Sequence, residues 1–292
     1  MSDFFPSARE KRRPMKLELL ERWLQKAESV LVAYSGGVDS SLLLKIALKT
    51  LGKENVLAVT ASSPLFPAEE IARARELARR MGARHLIIRA TWWRQNDFTA
   101  NPPDRCYLCK RELYRHLRLL ARRSKLKTVL DGANADDRSD FRPGEKARKE
   151  FHIRSPLQEI GLTKKEVRLL ARELGLPVWN KASSACLASR IPYGRRITLR
   201  KLKRIEDAEN YLRKFNLGEI RVRDYGCLAR VETDPDDWPK LLRHRKQVLE
   251  GLKKSGYLYI TLDLEGFRSG SLNAALKTKT ALEISDEESR GG

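Results

Sequence analysis

The sequence predicts an α/β protein: a Rossmann-like, doubly wound parallel sheet followed by a smaller C-terminal α+β domain. Three observations carry this. The apolar run Val30-Leu31-Val32-Ala33-Tyr34 leads through Ser35-Gly36-Gly37-Val38-Asp39-Ser40-Ser41 into the helix start Leu42-Leu43-Leu44-Lys45-Ile46-Ala47-Leu48. Strand-length apolar runs then alternate with helix-length amphipathic ones. From about Thr198 that alternation gives way to helix, strand, strand, helix, strand.

Taken in order, Leu17 to Ala27 has amphipathic helical spacing and precedes the first strand. Val56–Thr60 is a second strand, Ala68 to Arg80 a helix closed by Gly82, and Leu86–Ile88 a third strand. Tyr107 to Ser124 is helical and Thr128–Leu130 is a fourth strand. Leu162-Thr163-Lys164-Lys165-Glu166 opens another helix, with Thr163 and Glu166 spaced as a capping box; it ends at Gly175, before Pro177. A charged helix from Thr198 to Lys214 then precedes Glu219–Arg223 and Leu228–Glu232, both alternating like half-buried strands. Asp236 to Lys254 reads as one helix and Tyr257–Leu262 as the last strand. The expected division is 1–194 for the first domain, 195–276 for the second and 277–292 for a polar flexible tail.

The glycine loop carries the chemistry. Two glycines let backbone N–H groups approach a ligand closely, and the following helix aims its unpaired N–H groups and positive dipole end at the same place. Ser35, Ser40 and Ser41 add hydroxyl donors, while Asp39 suits a Mg²⁺ ion or the ordering of the loop. The common phosphate loop ends in Gly-Lys-Ser/Thr, and its lysine reaches the β- and γ-phosphates. No lysine follows these glycines, which argues against transfer of the γ-phosphate. The run resembles the pyrophosphate loop (PP-loop), Ser-Gly-Gly-x-Asp-Ser, of ATP pyrophosphatases, which adenylate a substrate and release pyrophosphate.

The 292 residues carry 59 Lys+Arg against 38 Asp+Glu, a net charge of +21. Such an excess suits anionic partners, or it is simply a basic surface. No apolar stretch is long enough to span a membrane and the N-terminus lacks a signal-peptide core, so a cytoplasmic protein with reduced cysteines is expected.

Cys106-Tyr107-Leu108-Cys109 opens a helix, where two thiols three apart can share a metal; the dipole, Arg105 and Lys110 favour thiolates. The alternative is a pair of core cysteines on a helical turn. Cys186 lies among small and polar residues with Arg190 four positions on, a setting for a reactive thiolate. Cys227 reads as a packing residue at a strand start. Four cysteines can make a zinc site, but that site takes two close pairs, and here only one exists; Cys106, Cys109 and Cys186 as three ligands fit an iron–sulfur cluster with one open iron. Asp131-Gly132-Ala133-Asn134-Ala135-Asp136-Asp137, after the fourth strand, suits Mg²⁺, loop ordering or an Asx-type turn equally. Arg111, Arg115, Arg118 and Arg122 form a helix stripe, solvated or anion-facing. Arg221 and Arg223 point to one side of a strand and can clamp a phosphate or carboxylate.

Together, Ser35-Gly36-Gly37-Val38-Asp39-Ser40, Arg105-Cys106-Tyr107-Leu108-Cys109-Lys110, Asp140-Phe141-Arg142-Pro143-Gly144 and Ala185-Cys186-Leu187-Ala188-Ser189-Arg190-Ile191-Pro192-Tyr193-Gly194 resemble the LarE family from about Leu17 to about Leu272. The resemblance implies an ATP-dependent sulfurtransferase of nickel-pincer nucleotide synthesis. Its substrate would be a small-molecule mononucleotide dicarboxylate, pyridinium-3,5-biscarboxylic acid mononucleotide. ATP, with Mg²⁺, would adenylate one carboxylate, and a sulfur nucleophile would displace AMP to leave a thiocarboxylate. Two routes exist in the family: the cysteine matching Cys186 surrenders its sulfur and becomes dehydroalanine, or three cysteines hold a 4Fe-4S cluster whose open iron carries a sulfide. The presence of Cys106 and Cys109 beside Cys186 favours the cluster. Arg221 and Arg223 match an Arg-x-Arg that contacts substrate phosphate in the family; Cys227 matches nothing in its pattern. A homo-oligomer is expected; the sequence names no sulfide donor. The competing readings are a tRNA-thiolating PP-loop enzyme, against which stand the lack of a second zinc-type cysteine pair and of an RNA-binding motif, and a nucleotide-binding sensor without catalysis.

Overall fold

The computed structural model describes residues 8–138, 144–182, 185–268 and 270–274. The Asp140–Pro143 part of the family motif, Ser183, Ser184 and the expected 277–292 tail lie outside them. The chain runs α1 (Ala8–Ala27), β1 (Val30–Ala33), α2 (Val38–Leu51), β2 (Val56–Ser62), α3 (Ala68–Arg80), β3 (Arg84–Arg89), α4 (Asn96–Thr99) and α5 (Arg105–Arg123). It continues through β4 (Thr128–Leu130), α6 (Gly144–Glu150), α7 (Pro156–Glu159), α8 (Lys164–Glu173), α9 (Leu199–Arg213), β5 (Ile220–Asp224), β6 (Leu228–Thr233), α10 (Trp238–Arg243), α11 (Arg245–Lys254) and β7 (Tyr259–Leu262).

Two compact units result: one takes the chain to Trp93 and again from Asp104 through the described residues before 185, the other takes Arg94–Pro103 and the described chain from Ala185. This division falls about ten residues before the boundary expected at 194, and it borrows Arg94–Pro103 from the first half. The reason is Asn101. Its fully buried side-chain amide donates to the carbonyls of Ile191, Pro192 and Arg195 at 3.1, 2.7 and 3.2 Å, and Ile197 N donates to Thr99 O at 2.8 Å.

In the first unit four parallel strands lie in the order β3-β2-β1-β4, flanked by helices, as the alternating pattern predicts. Both faces are covered, which is why the β1 run is continuously apolar rather than alternating. Val30 and Val32 pack with Leu20 and Leu24 of α1, Leu42–Leu44 of α2 and Val167 and Leu170 of α8. Leu31 faces the other way, into a core with Tyr114, Leu117 and Ala121 of α5 and Val129 of β4. The capping box at α8 is present, with Thr163 Oγ1 accepting from Glu166 N and the Glu166 side chain accepting from Thr163 N at 2.9 Å.

The second unit has a three-stranded sheet, β5-β6-β7, with β5/β6 antiparallel and β6/β7 parallel. Val222, Ala229 and Val231 pack there with Ala208 and Leu212 of α9 and Val248 and Leu252 of α11. Three details differ from the sequence reading. The helix expected over Asp236 to Lys254 divides at His244 (φ −95°, ψ 17°), whose ring lies against Phe215 and whose Nδ1 meets Gln247 Oε1 at 2.9 Å. β5 is buried along its whole length rather than on alternate residues, because Arg221, Arg223 and Asp224 find partners inside. Cys227 is exposed in the turn before β6 instead of packing at a strand start. Among the described residues no helix is long and apolar enough to cross a membrane.

Candidate functional site

The glycine loop lies where β1 ends and α2 begins. Gly36 takes φ +72°, and a Cβ there would stand 2.7 Å from Ala74 Cβ and 2.9 Å from Ala74 Cα on α3. Glycine is therefore required twice over, by backbone conformation and by contact. Gly37 is the N-cap of α2, extended at φ −79°. Ser40 closes the loop on itself: its Oγ accepts from Ser35 N at 3.2 Å, lies 3.1 Å from Ser35 Oγ and donates to Gly37 O at 3.3 Å. Ser41 is fully buried, its amide donating to Gly37 O at 3.0 Å.

Asp39 faces the loop after β4. Its Oδ1 accepts from Asn134 Nδ2 at 3.0 Å, and its Oδ2 is paired with the ammonium of Lys164 at the first position of α8. The Asp131–Asp137 run is spent on ordering. Buried Asp131 accepts from the Tyr114 hydroxyl at 2.8 Å, from Ser155 Oγ and from Ala133 N at 3.2 Å, while Asp137 Oδ2 accepts from Asn134 N at 2.9 Å. This is the Asx-turn alternative. It places Asn134 against Asp39.

A cleft of about 300 Å³ opens at these strand ends. One side is the loop, with Ser35, Gly37 and Asp39; the other is apolar, with Val59, Leu65, Phe66 and Ile71. Cys109 and Trp92 line the same cleft, as do Lys164 and Lys181. Cys106 and Cys109 occupy the first turn of α5, one turn apart; Cys106 is exposed and Cys109 half-buried, so the alternative of a buried core pair does not hold. Burial, then Asp131, and also Cys109 push the Tyr114 hydroxyl well above its ordinary range, so Tyr114 remains a proton donor to Asp131. In the arginine stripe of α5, Arg115 pairs with Glu112 at 3.0 Å and Arg122 is exposed, as a solvated face would be.

Cys186, in the second unit, is the N-cap of a short 3₁₀ turn, Leu187–Arg190, and is half-buried. Buried Arg190 fixes that turn. It donates to Glu209 in a bidentate pair (2.8 and 3.1 Å) and to the carbonyls of Ala185 and Cys186 at 2.8 and 3.2 Å. Arg223, 2 % exposed, forks onto Glu232 at 2.8 and 2.6 Å and donates to Ser189 O at 2.6 Å. Its guanidinium is thus engaged internally and ties the Cys186 turn to β5. Arg221 differs: it lies over the Phe267 ring at 4.9 Å, its buried Nε has no hydrogen-bond partner among the described residues, and burial, then Arg190 and Arg223, pull its pKa down to about 10. A buried guanidinium without a carboxylate is costly unless an anion arrives.

Cys106 and Cys109 belong to the first unit and Cys186 to the second, and among the described residues no group of three or more His, Cys, Asp or Glu is gathered for a metal ion. The donor types still suit an iron–sulfur cluster: thiols at two helix N-terminal turns, none deeply buried. Of the two carboxylates that line the cleft, Asp39 and Glu70, Asp39 belongs to the loop itself and suits Mg²⁺. The sequence reading missed Lys164, Lys181 and Asn134. Lys164 had a signal, since a lysine at the first helical position opposes the dipole, and Asn134 lies in the run after β4 already read as loop-ordering or an Asx-type turn; for Lys181 no local pattern marks the role.

A family model described as NAD synthase matches residues 17–92. An uncharacterised protein of Synechocystis sp. is 42 % identical over 263 residues, 89 % of this chain and 98 % of that protein. The pyridinium-3,5-bisthiocarboxylic acid mononucleotide synthase of Lactiplantibacillus plantarum is 41 % identical over 259 residues, 89 % of this chain and 94 % of that protein. A glutamine-dependent NAD(+) synthetase of Thermotoga maritima is 44 % identical over 64 residues, 22 % of this chain and 11 % of that protein.

Proposed function

The chain belongs to the LarE family of pyridinium-3,5-bisthiocarboxylic acid mononucleotide synthases, and from that premise we propose the course of its ATP-dependent sulfur transfer. ATP lies with its base against Val59, Leu65, Phe66 and Ile71 and its phosphates on the backbone amides of the glycine loop and the Ser35 hydroxyl; Asp39 would hold Mg²⁺. A carboxylate oxygen of pyridinium-3,5-biscarboxylic acid mononucleotide attacks the α-phosphorus, and the bond to the leaving pyrophosphate breaks. The acyl adenylate is then open at carbon to a sulfur nucleophile; the C–S bond forms, the C–O bond to AMP breaks and a thiocarboxylate remains. Arg221 takes the anionic end of the substrate, since among the described residues it is the guanidinium of the buried trio Arg190, Arg221 and Arg223 without a paired carboxylate. Arg223 acts as a positioning residue through Ser189.

Cys106, Cys109 and Cys186 hold the sulfur source. A 4Fe-4S cluster on these three thiolates would supply a sulfide on its open iron. The single observation that favours this over sacrifice of Cys186 alone is that Cys109 lines the cleft that the PP-loop lines. Anaerobic iron and sulfide determination on reconstituted protein tests it. About four of each per chain is expected for a 4Fe-4S cluster, with the content lost in each of Cys106→Ala, Cys109→Ala and Cys186→Ala. A colourless wild-type protein that turns over once, with Cys186 lighter by one sulfur, overturns the cluster.

A further inference from the structure

The PP-loop itself contains no lysine, yet two ammonium groups stand in its cleft. Lys181 Nζ donates to Glu70 Oε2 at 2.5 Å and to Gly36 O, a carbonyl of the loop, at 3.4 Å. Lys164, 125 residues beyond Asp39, is paired with it. These pairs are neither surface decoration nor deep core, the four side chains being 19–26 % exposed. We propose that Lys164 and Lys181 are the cations of the polyphosphate site, held on Asp39 and Glu70 until a nucleoside triphosphate takes them over. This rests on the reading that the cleft takes ATP.

The exchange follows from charge and from what each carboxylate keeps. Without ligand, two lysines and two carboxylates balance. A triphosphate brings several negative charges into a half-desolvated cleft, where a polyphosphate outcompetes one carboxylate for an ammonium. Neither carboxylate is then abandoned. Asp39 retains the Asn134 amide, and Glu70 has Arg73 at 3.8 Å. Lysine suits the task better than arginine, because its compact charge on a flexible stem swings between partners without a fixed fork to satisfy. The departure of Lys164 also leaves Asp39 Oδ2 open at the moment phosphates arrive.

Titration calorimetry on the full chain with ATP, inorganic pyrophosphate and AMP tests this. Lys164→Gln and Lys181→Gln are each expected to weaken ATP and pyrophosphate about tenfold to hundredfold, while AMP, which lacks the β- and γ-phosphates, binds as to wild type. Glu70→Gln is expected to leave ATP affinity unchanged or to tighten it, since it only removes the holding partner. If the Lys181–Glu70 pair merely braced the fold, Glu70→Gln and Lys181→Gln would weaken ATP alike, and that result overturns the proposal. Unaltered ATP affinity in both lysine variants overturns it too, while leaving the ATP reading intact. Wild-type protein that binds neither ATP nor pyrophosphate overturns the ATP reading first and this with it. Should a lysine variant fail to fold, Glu70→Gln alone decides: weakened ATP binding refutes the exchange.

Discussion

Replacing Gly36 by alanine perturbs the nucleotide site through a single methyl group. A non-glycine residue at φ +72° costs roughly 1–2 kcal/mol. Part of that is offset, by about 0.4–1 kcal/mol, because alanine also narrows the unfolded ensemble. The new methyl would meet Ala74 Cβ at 2.7 Å and Ala74 Cα at 2.9 Å, and the second is backbone of α3, which cannot rotate away. Overpacking of this kind costs a further 1–3 kcal/mol or so, giving a total of about 2–4 kcal/mol. Gly82 supplies the control: it closes the C-terminus of α3 at φ +69°, with Ala83 N bonded back to Ala78 O at 3.0 Å, and a Cβ there would meet nothing among the described residues within 4 Å, so Gly82→Ala bears only the conformational cost, about 0.5–1 kcal/mol net. Urea unfolding of both variants gives the difference, and calorimetry gives ATP affinity. Gly36→Ala should be the less stable by about 1–3 kcal/mol and should bind ATP weakly, because the loop retreats from α3 and its amides leave their aim. Gly36→Ala/Ala74→Gly should recover only part of the loss, since Ala74 Cα remains. Equal stability of Gly36→Ala and Gly82→Ala, or undiminished ATP affinity in Gly36→Ala, would refute the reasoning.

The two β5 arginines should separate stability from binding. Arg223→Ala strips the bidentate partner from fully buried Glu232, which keeps Arg230 at 3.0 Å and the Ser271 hydroxyl at 3.1 Å, and is expected to cost about 2–4 kcal/mol, read by thermal unfolding. Arg221→Ala breaks no ion pair and should leave unfolding within about 1 kcal/mol of wild type while raising the KM for the mononucleotide substrate at least tenfold or so; a large stability loss in Arg221→Ala refutes the assignment. His85 predicts a pH dependence. Burial, then Arg75, hold its imidazolium below the ordinary range, and its Nε2 lies 2.8 Å from Thr60 Oγ1, whose hydroxyl is given to Tyr34 O. The folded protein therefore takes up this proton later than the unfolded chain, which does so near pH 6.5. The contribution is complete above about pH 6.5 and is lost as pH falls through the lower folded value. Denaturant titrations between about pH 5 and 7.5 should show a slope that His85→Asn reduces; an identical slope in the variant discards the assignment.

Much of the scaffold was legible because it is encoded locally. The β1 run, continuous rather than alternating, already announced a strand covered on both faces. Thr163 and Glu166 carried a cap whose partners are three residues apart, and α3 and β4 follow the expected bounds because nothing distant competes with their patterns. The departures arose where distant partners decide. β5 was read as half-buried since Arg221 and Arg223 are charged, but Glu232 on the neighbouring strand and the Phe267 ring let them stay inside. Cys227, apolar enough to pack, lies in a turn and is exposed. Arg94–Pro103 joins the second unit because one asparagine amide caps three carbonyls some ninety residues away.

By itself the sequence determined the strand–glycine loop–helix and its pyrophosphate character, the alternating architecture and the identity of the thiols, all properties of neighbouring residues and their allowed dihedrals. Tertiary structure alone decided where the missing positive charge comes from. Lys164 and Lys181 lie 125 and 145 residues from the loop residues they touch, and no periodicity links them to Asp39 or Gly36. Dihedral preference and side-chain spacing act over a few residues, whereas an ammonium finds its carboxylate only after the sheet has brought separate strand ends to one cleft.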